Sequence, residues 1–146
     1  SSAKSTLVVT TGLLDSATRI ELEAIVANRI SQIATGQTAL ATAALSTFGL
    51  QIRIGALRVR PFALLPVSVK QRFGLELDPS DDFLNDSAGV ALTRYPPGMV
   101  EALAMMENRN ALSKASSITD SLWVLSTQEN TDRPTVEARM TALREL

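Results

Sequence analysis

One line of apolar residues constrains this chain more than any other feature. Leu22, Ile25, Val26, Ile30 and Ile33 recur at spacings of three and four, which gathers them on one face of an α-helix and does not fit the alternation of a strand. Just ahead of them stand Thr18 and Glu21. That spacing makes a capping box, in which each side chain satisfies a backbone N–H left free at a helix start. Beyond Gly36 the residues Leu40, Ala44 and Phe48 continue nearly the same phase, so the segment is either one long helix or two joined at that glycine. Gly49 is a natural stop.

A helix with one apolar face needs something to pack against, and the rest of the sequence offers mostly further helix. Met99, Leu103 and Met106 form one line after the Tyr95-Pro96-Pro97-Gly98 break, and Ile118, Leu122 and Leu125 form another. Near the end of the sequence Val136, Met140 and Leu143 follow Asp132 as a cap and Pro134 in the first turn. The exception is residues 51–60. There Ile52, Ile54, Leu57 and Val59 alternate with Gln51, Arg53, Arg58 and Arg60, and the phase slips by one at Gly55-Ala56, as at a bulge. The stretch "ELDPSDDFLNDSAG" reads as a loop. The expectation is a mainly α fold with a small β element (α+β). It comprises an N-terminal arm or short strand over residues 1–14, then a single compact helical domain over 15–146 with a bulged strand or hairpin near 51–60.

Composition fits one core: 146 residues, 45% hydrophobic and 20% charged, far from the composition of disordered chains. No apolar run approaches the roughly 18–20 residues that cross a bilayer. The opening "SSAKSTLVVTTGLL" lacks the basic flank and long apolar centre of a signal peptide. A soluble cytoplasmic or virion protein without membrane insertion is expected.

The sequence holds no cysteine and no histidine. This removes disulfides, thiol nucleophiles, zinc–thiolate sites, the usual base near neutral pH and the Ser-His-Asp arrangement. No Walker loop, GxGxxG or GxSxG is present, and no cofactor is expected. Met99, Met105, Met106, Met140 and Trp123 read as core.

What remains is a division of charge. Between Glu23 and Glu76 there is no acid, while Arg29, Arg53, Arg58, Arg60, Lys70 and Arg72 fall there. From Glu76 to Asp86 the acids Glu76, Asp78, Asp81, Asp82 and Asp86 meet no base. These blocks admit mutual neutralisation on the surface, head-to-tail contact between copies, or arginine forks on phosphates. "DPSDDFLND" lacks the ligand spacing, central glycine and distal glutamate of a calcium loop, so no metal is expected.

The last two readings of the charge blocks combine into the functional expectation: a non-enzymatic, self-assembling structural protein, a coat or nucleocapsid-type subunit. In it Arg53, Arg58, Arg60, Lys70 and Arg72 contact the nucleic-acid backbone, and Glu76, Asp78, Asp81, Asp82 and Asp86 contact the next copy. The alternatives are a small regulatory or adaptor domain that binds a partner protein through helical faces, and a carboxylate-dependent hydrolase or lyase.

Overall fold

The computed structural model describes residues 4–48, 52–54, 57–59, 66, 68–69, 79–108, 117–126 and 133–146. It is mainly helical. In chain order the elements are α1 (Thr11–Ser16), α2 (Arg19–Ala34), α3 (Gln37–Phe48), β1 (Ile52–Ile54), β2 (Leu57–Val59), α4 (Pro79–Thr93), α5 (Pro96–Asn108), a 3-10 turn (Ser117–Leu122) and α6 (Val136–Arg144). Residues 4–10 form neither helix nor strand, and α1 buries none of its residues.

Local chemistry explains most of the boundaries. At the start of α2 the Glu21 N–H donates to Thr18 Oγ1 at 3.3 Å, and the Thr18 N–H donates to Glu21 Oε2 at 2.6 Å. The capping box read from the sequence is therefore formed, and such a cap is worth about 1 kcal/mol. Gly36 decides between one helix and two: its φ of 79° is left-handed, so the helix ends there and α3 starts anew. The loop expected at 76–89 is corrected in part, because Pro79–Thr93 is helical. Proline suits a first helical position, and Asp81 and Asp82 lie in the first turn, where the helix dipole favours negative charge. Polar composition had suggested a loop, whereas these residues are suited to a helix N-terminus.

β1 and β2 pair antiparallel with Ile52 opposite Val59, Arg53 opposite Arg58 and Ile54 opposite Leu57. The expected helix at 117–126 is a 3-10 turn followed by bends.

α2 packs along α4 and α5, and α6 packs on α5 and α4. The apolar core is Ala24, Val90, Met99, Leu103 and Leu143, with Val100, Met106, Val124, Leu125, Val136 and Met140 against it. Two glycines set the closeness of these helices. A Cβ on Gly89 would stand 2.9 Å from the backbone nitrogen of Asn28, so α2 and α4 touch backbone to backbone there. A Cβ on Gly98 would stand 2.9 Å from Ile20 Cγ2. The face that α2 turns inward matches the expected one only in part. Ile25 is buried and Leu22, Val26 and Ile33 are half-buried, but Ile30 is 49% exposed, and the fully buried set also includes Asn28, Arg29, Ser31 and Gln32.

Candidate functional site

A buried polar side chain is tolerated only with partners, so the polar face of α2 points to whatever satisfies it. A helix sets residues three and four apart side by side. α2 thereby presents Asn28, Arg29 and Gln32, and α4 presents Asp82, Asn85 and Asp86. α6 adds Arg139, and Arg133 comes from the segment just before it. Asn28, Arg29, Gln32, Asp82, Asn85, Asp86 and Arg139 are all at most 5% exposed.

Two arginine forks organise the centre. Arg139 grips Asp86 with both arms, Nε to Oδ2 and Nη2 to Oδ1 at 2.7 Å each, and its Nη1 donates to the Val124 carbonyl at 2.8 Å. Arg133 grips Asp82 in the same way, with both bonds at 2.8 Å. Its remaining hydrogens reach the carbonyls of Asp120, Trp123 and Val124, and the Asp120 carboxylate at 3.4 Å. The forks are neighbours, since Arg139 Nη1 lies 3.8 Å from Asp82 Oδ1. Bidentate guanidinium–carboxylate pairs are the strongest side-chain hydrogen bonds available here.

α2 joins through amides. Asn28 Nδ2 donates to Asp86 Oδ1 at 2.6 Å, while Arg29 donates from Nε to Asn28 Oδ1 at 2.8 Å, from Nη2 to the same oxygen, and from Nη1 to Gln32 Oε1 at 2.8 Å. Asn85 Nδ2 extends the network to α3 by donating to Gln37 Oε1 at 3.0 Å.

Charge states follow from this packing. Arg29 is pushed down to about 10, first by burial and then by the like charges of Arg133 and Arg139, with Asp82 and Asp86 opposing. Burial raises the Asp86 carboxyl above the usual aspartate range against the pull of Arg139. For Arg133 burial is the largest influence and works against the charge, but the hydrogen bond and charge of Asp82, then Asp120, outweigh it, so its affinity for the proton rises.

The expected subunit-contact residues separate. Asp82 and Asp86 are corrected: they lie inside the fold, held by arginines of their own chain. Asp81 is half-buried in the first turn of α4, and Glu76 and Asp78 lie outside the described residues. Of the expected phosphate contacts, Arg53 and Arg58 stand opposite each other in the β pair; Arg60, Lys70 and Arg72 lie outside the described residues, as does Asp132. The expected cap of α6 is corrected: Thr135 caps it, accepting from the Ala138 N–H at 3.2 Å, and Pro134 precedes the helix.

The sequence reading missed the centre itself. A faint signal existed at Arg139, which stands three after Val136 and four before Leu143, on the apolar line of α6. Arg133 carried none, since its partner Asp82 is 51 residues away. Elsewhere, a cleft of about 200 Å³ lined by Ile20, Glu23, Thr93, Tyr95 and Gly98 is smaller than the pockets that hold most small molecules. Among the described residues no group of three or more acidic side chains is placed to hold a metal ion, and no helix is long and apolar enough to cross a membrane.

Similarity to known proteins gives this centre its setting. The chain is 26% identical over 166 aligned positions to a protease HtpX homologue of Dictyoglomus thermophilum, covering 94% of this chain and 55% of that protein. It is 27% identical over 169 positions to a protease HtpX homologue of Dictyoglomus turgidum, covering 96% of this chain and 56% of that protein. The likeness is to proteases. The chain spans a little over half the length of these curated relatives. No family model matches it, and no solved structure does.

These likenesses overturn the functional expectation. A coat or nucleocapsid-type structural protein without enzymatic character is replaced by a relationship to proteases that runs along nearly the whole chain. The expectation failed for a physical reason too: two of the acids assigned to assembly are already neutralised inside the molecule.

Proposed function

We propose that this chain is a peptidase-type domain that acts on polypeptides, built on a scaffold related to the HtpX proteases. The observation that carries the reading is similarity over 94–96% of the chain to two proteins named as proteases. The buried polar centre is consistent with it, because α2, α4 and α6 converge on acid and amide groups rather than on a purely apolar core. The β pair at Ile52–Ile54 and Leu57–Val59 enters this reading as the small β element of an otherwise helical domain.

Peptide hydrolysis needs a group that activates water or serves as nucleophile. Without histidine or cysteine in these residues, Asp82 and Asp86 are the acid–base groups at the centre. Both oxygens of each are engaged by a guanidinium fork. A proton-transfer role for either therefore requires Arg133 or Arg139 to let go.

The test is an unstructured polypeptide such as casein carrying self-quenched fluorophores, titrated with the purified chain. Polarisation reports engagement and dequenching reports cleavage. Saturable engagement is expected, with any cleavage reduced in Asp82→Asn and Asp86→Asn. Neither engagement nor cleavage by the wild-type chain would contradict the reading.

A further inference from the structure

A protease-related scaffold raises the question of what its central helix presents. In the helix-borne metalloprotease arrangement two histidines at i and i+4 bind zinc from one helix face, and a glutamate at i+1 acts as general base. α2 carries the same register with other chemistry. Asn28 stands at i, Arg29 at i+1 and Gln32 at i+4, all buried in the centre of the fold. Asn28 faces the Asp86 carboxylate on α4 through a 2.6 Å hydrogen bond.

These donors do not fit a zinc ion. Zinc takes imidazole nitrogen, thiolate or carboxylate, and here the i and i+4 positions offer amides while i+1 offers a guanidinium, which has no lone pair to give. The carboxylates that could complete a site, Asp82 and Asp86, each accept both arms of an arginine. Arg29, Arg133 and Arg139 together would repel a dication.

We propose that Asn28, Arg29 and Gln32 occupy the register of a helix-borne metal centre, and that the arginine–aspartate network is its metal-free replacement. Three guanidinium groups take the place of a dication: Arg133 and Arg139 are each paired with one aspartate, and Arg29 is held by the amides of Asn28 and Gln32. Their forks, with Asn28, link α2, α4 and α6 as shared metal ligation would. The inference rests on the protease-related reading for the meaning of the register, and on the structure alone for the donor chemistry.

The test is zinc binding by the full chain, measured by metal content after dialysis, by calorimetric titration with zinc alone and by thermal unfolding with and without chelator. The wild-type chain is expected to retain no stoichiometric zinc and to unfold at the same temperature with chelator. The variant N28H/R29E/Q32H, and the same variant with Arg133→Gln to release Asp82, should gain a one-to-one site. Changes around an existing metal alter affinity about 10–100-fold, so exchanging the ligands themselves should tighten zinc binding by more than about 100-fold.

If these variants fail to fold, the milder N28H/Q32H variant and the wild-type chelator comparison decide. One zinc per wild-type chain, or folded variants that bind no better than wild type, would overturn the inference. Stoichiometric zinc in the wild type would leave the polypeptide-acting reading standing, whereas failure to engage casein would sink that reading and leave the donor chemistry unaffected.

Discussion

Arg139 and Arg94 show how differently single residues bear on this fold. Arg139→Leu would leave the Asp86 carboxylate buried without its fork, and removing one partner of a buried pair costs about 3–5 kcal/mol; urea unfolding of the two chains checks it. Arg94, at the joint between α4 and α5, has a φ of 57°, a left-handed conformation that non-glycine residues adopt at a cost. Arg94→Gly should raise stability by roughly 0.5–1 kcal/mol, readable as a higher melting temperature, and a lower one would contradict the strain. Of these positions the sequence hinted only at Arg139, by its spacing on an apolar line. A charge on such a line signals a buried pair, but its partner stands on another helix 53 residues away, and no local pattern records that.

At the scale of elements, local rules were legible and the choice of buried face only in part, since Ile25 is buried as read while Ile30 is not. The Thr18–Glu21 box and the Val136, Met140 and Leu143 line depend on neighbours within one or two turns, and they stand as read. The inward face of α2 depends on what α4 and α6 bring to it. With Asp86 there, Asn28 finds its partner inside the fold, and Ile30 turns outward. α4 escaped notice because acids at a helix start look like a loop when only polarity is counted. Its pairing with α2 depends on Gly89, where a methyl group would press on the Asn28 backbone. Gly89→Ala should destabilise the fold by about 1–3 kcal/mol and weaken the Asn28–Asp86 bond, visible as faster amide exchange at Asn28. Unchanged stability and exchange would show that the helices are not in contact there.

Across the whole molecule the buried charges set how stability responds to pH. Asp86 binds its proton more tightly folded than unfolded, so its contribution is fully present below the ordinary aspartate range and is lost as pH rises through its raised folded value. The chain should therefore gain stability relative to Asp86→Asn as pH falls from neutral toward 4. Arg29 runs the other way in affinity: its folded value of about 10 lies below that of a free arginine. Its unfavourable contribution holds at neutral pH and is relieved above about pH 10, where the chain should gain on Arg29→Met by up to roughly 1.4 kcal/mol per pH unit. Urea titrations across pH check both signs.

The claim beneath these expectations is that the fold is tied together at its centre by ion pairs spanning its helices. The most direct measurement is a double-mutant cycle on Asp86→Asn and Arg139→Gln by urea unfolding at pH 7. Each single change should cost about 3–5 kcal/mol and the double change clearly less than their sum, giving a coupling of about 1–3 kcal/mol between α4 and α6. Additive losses, with no coupling, would contradict it.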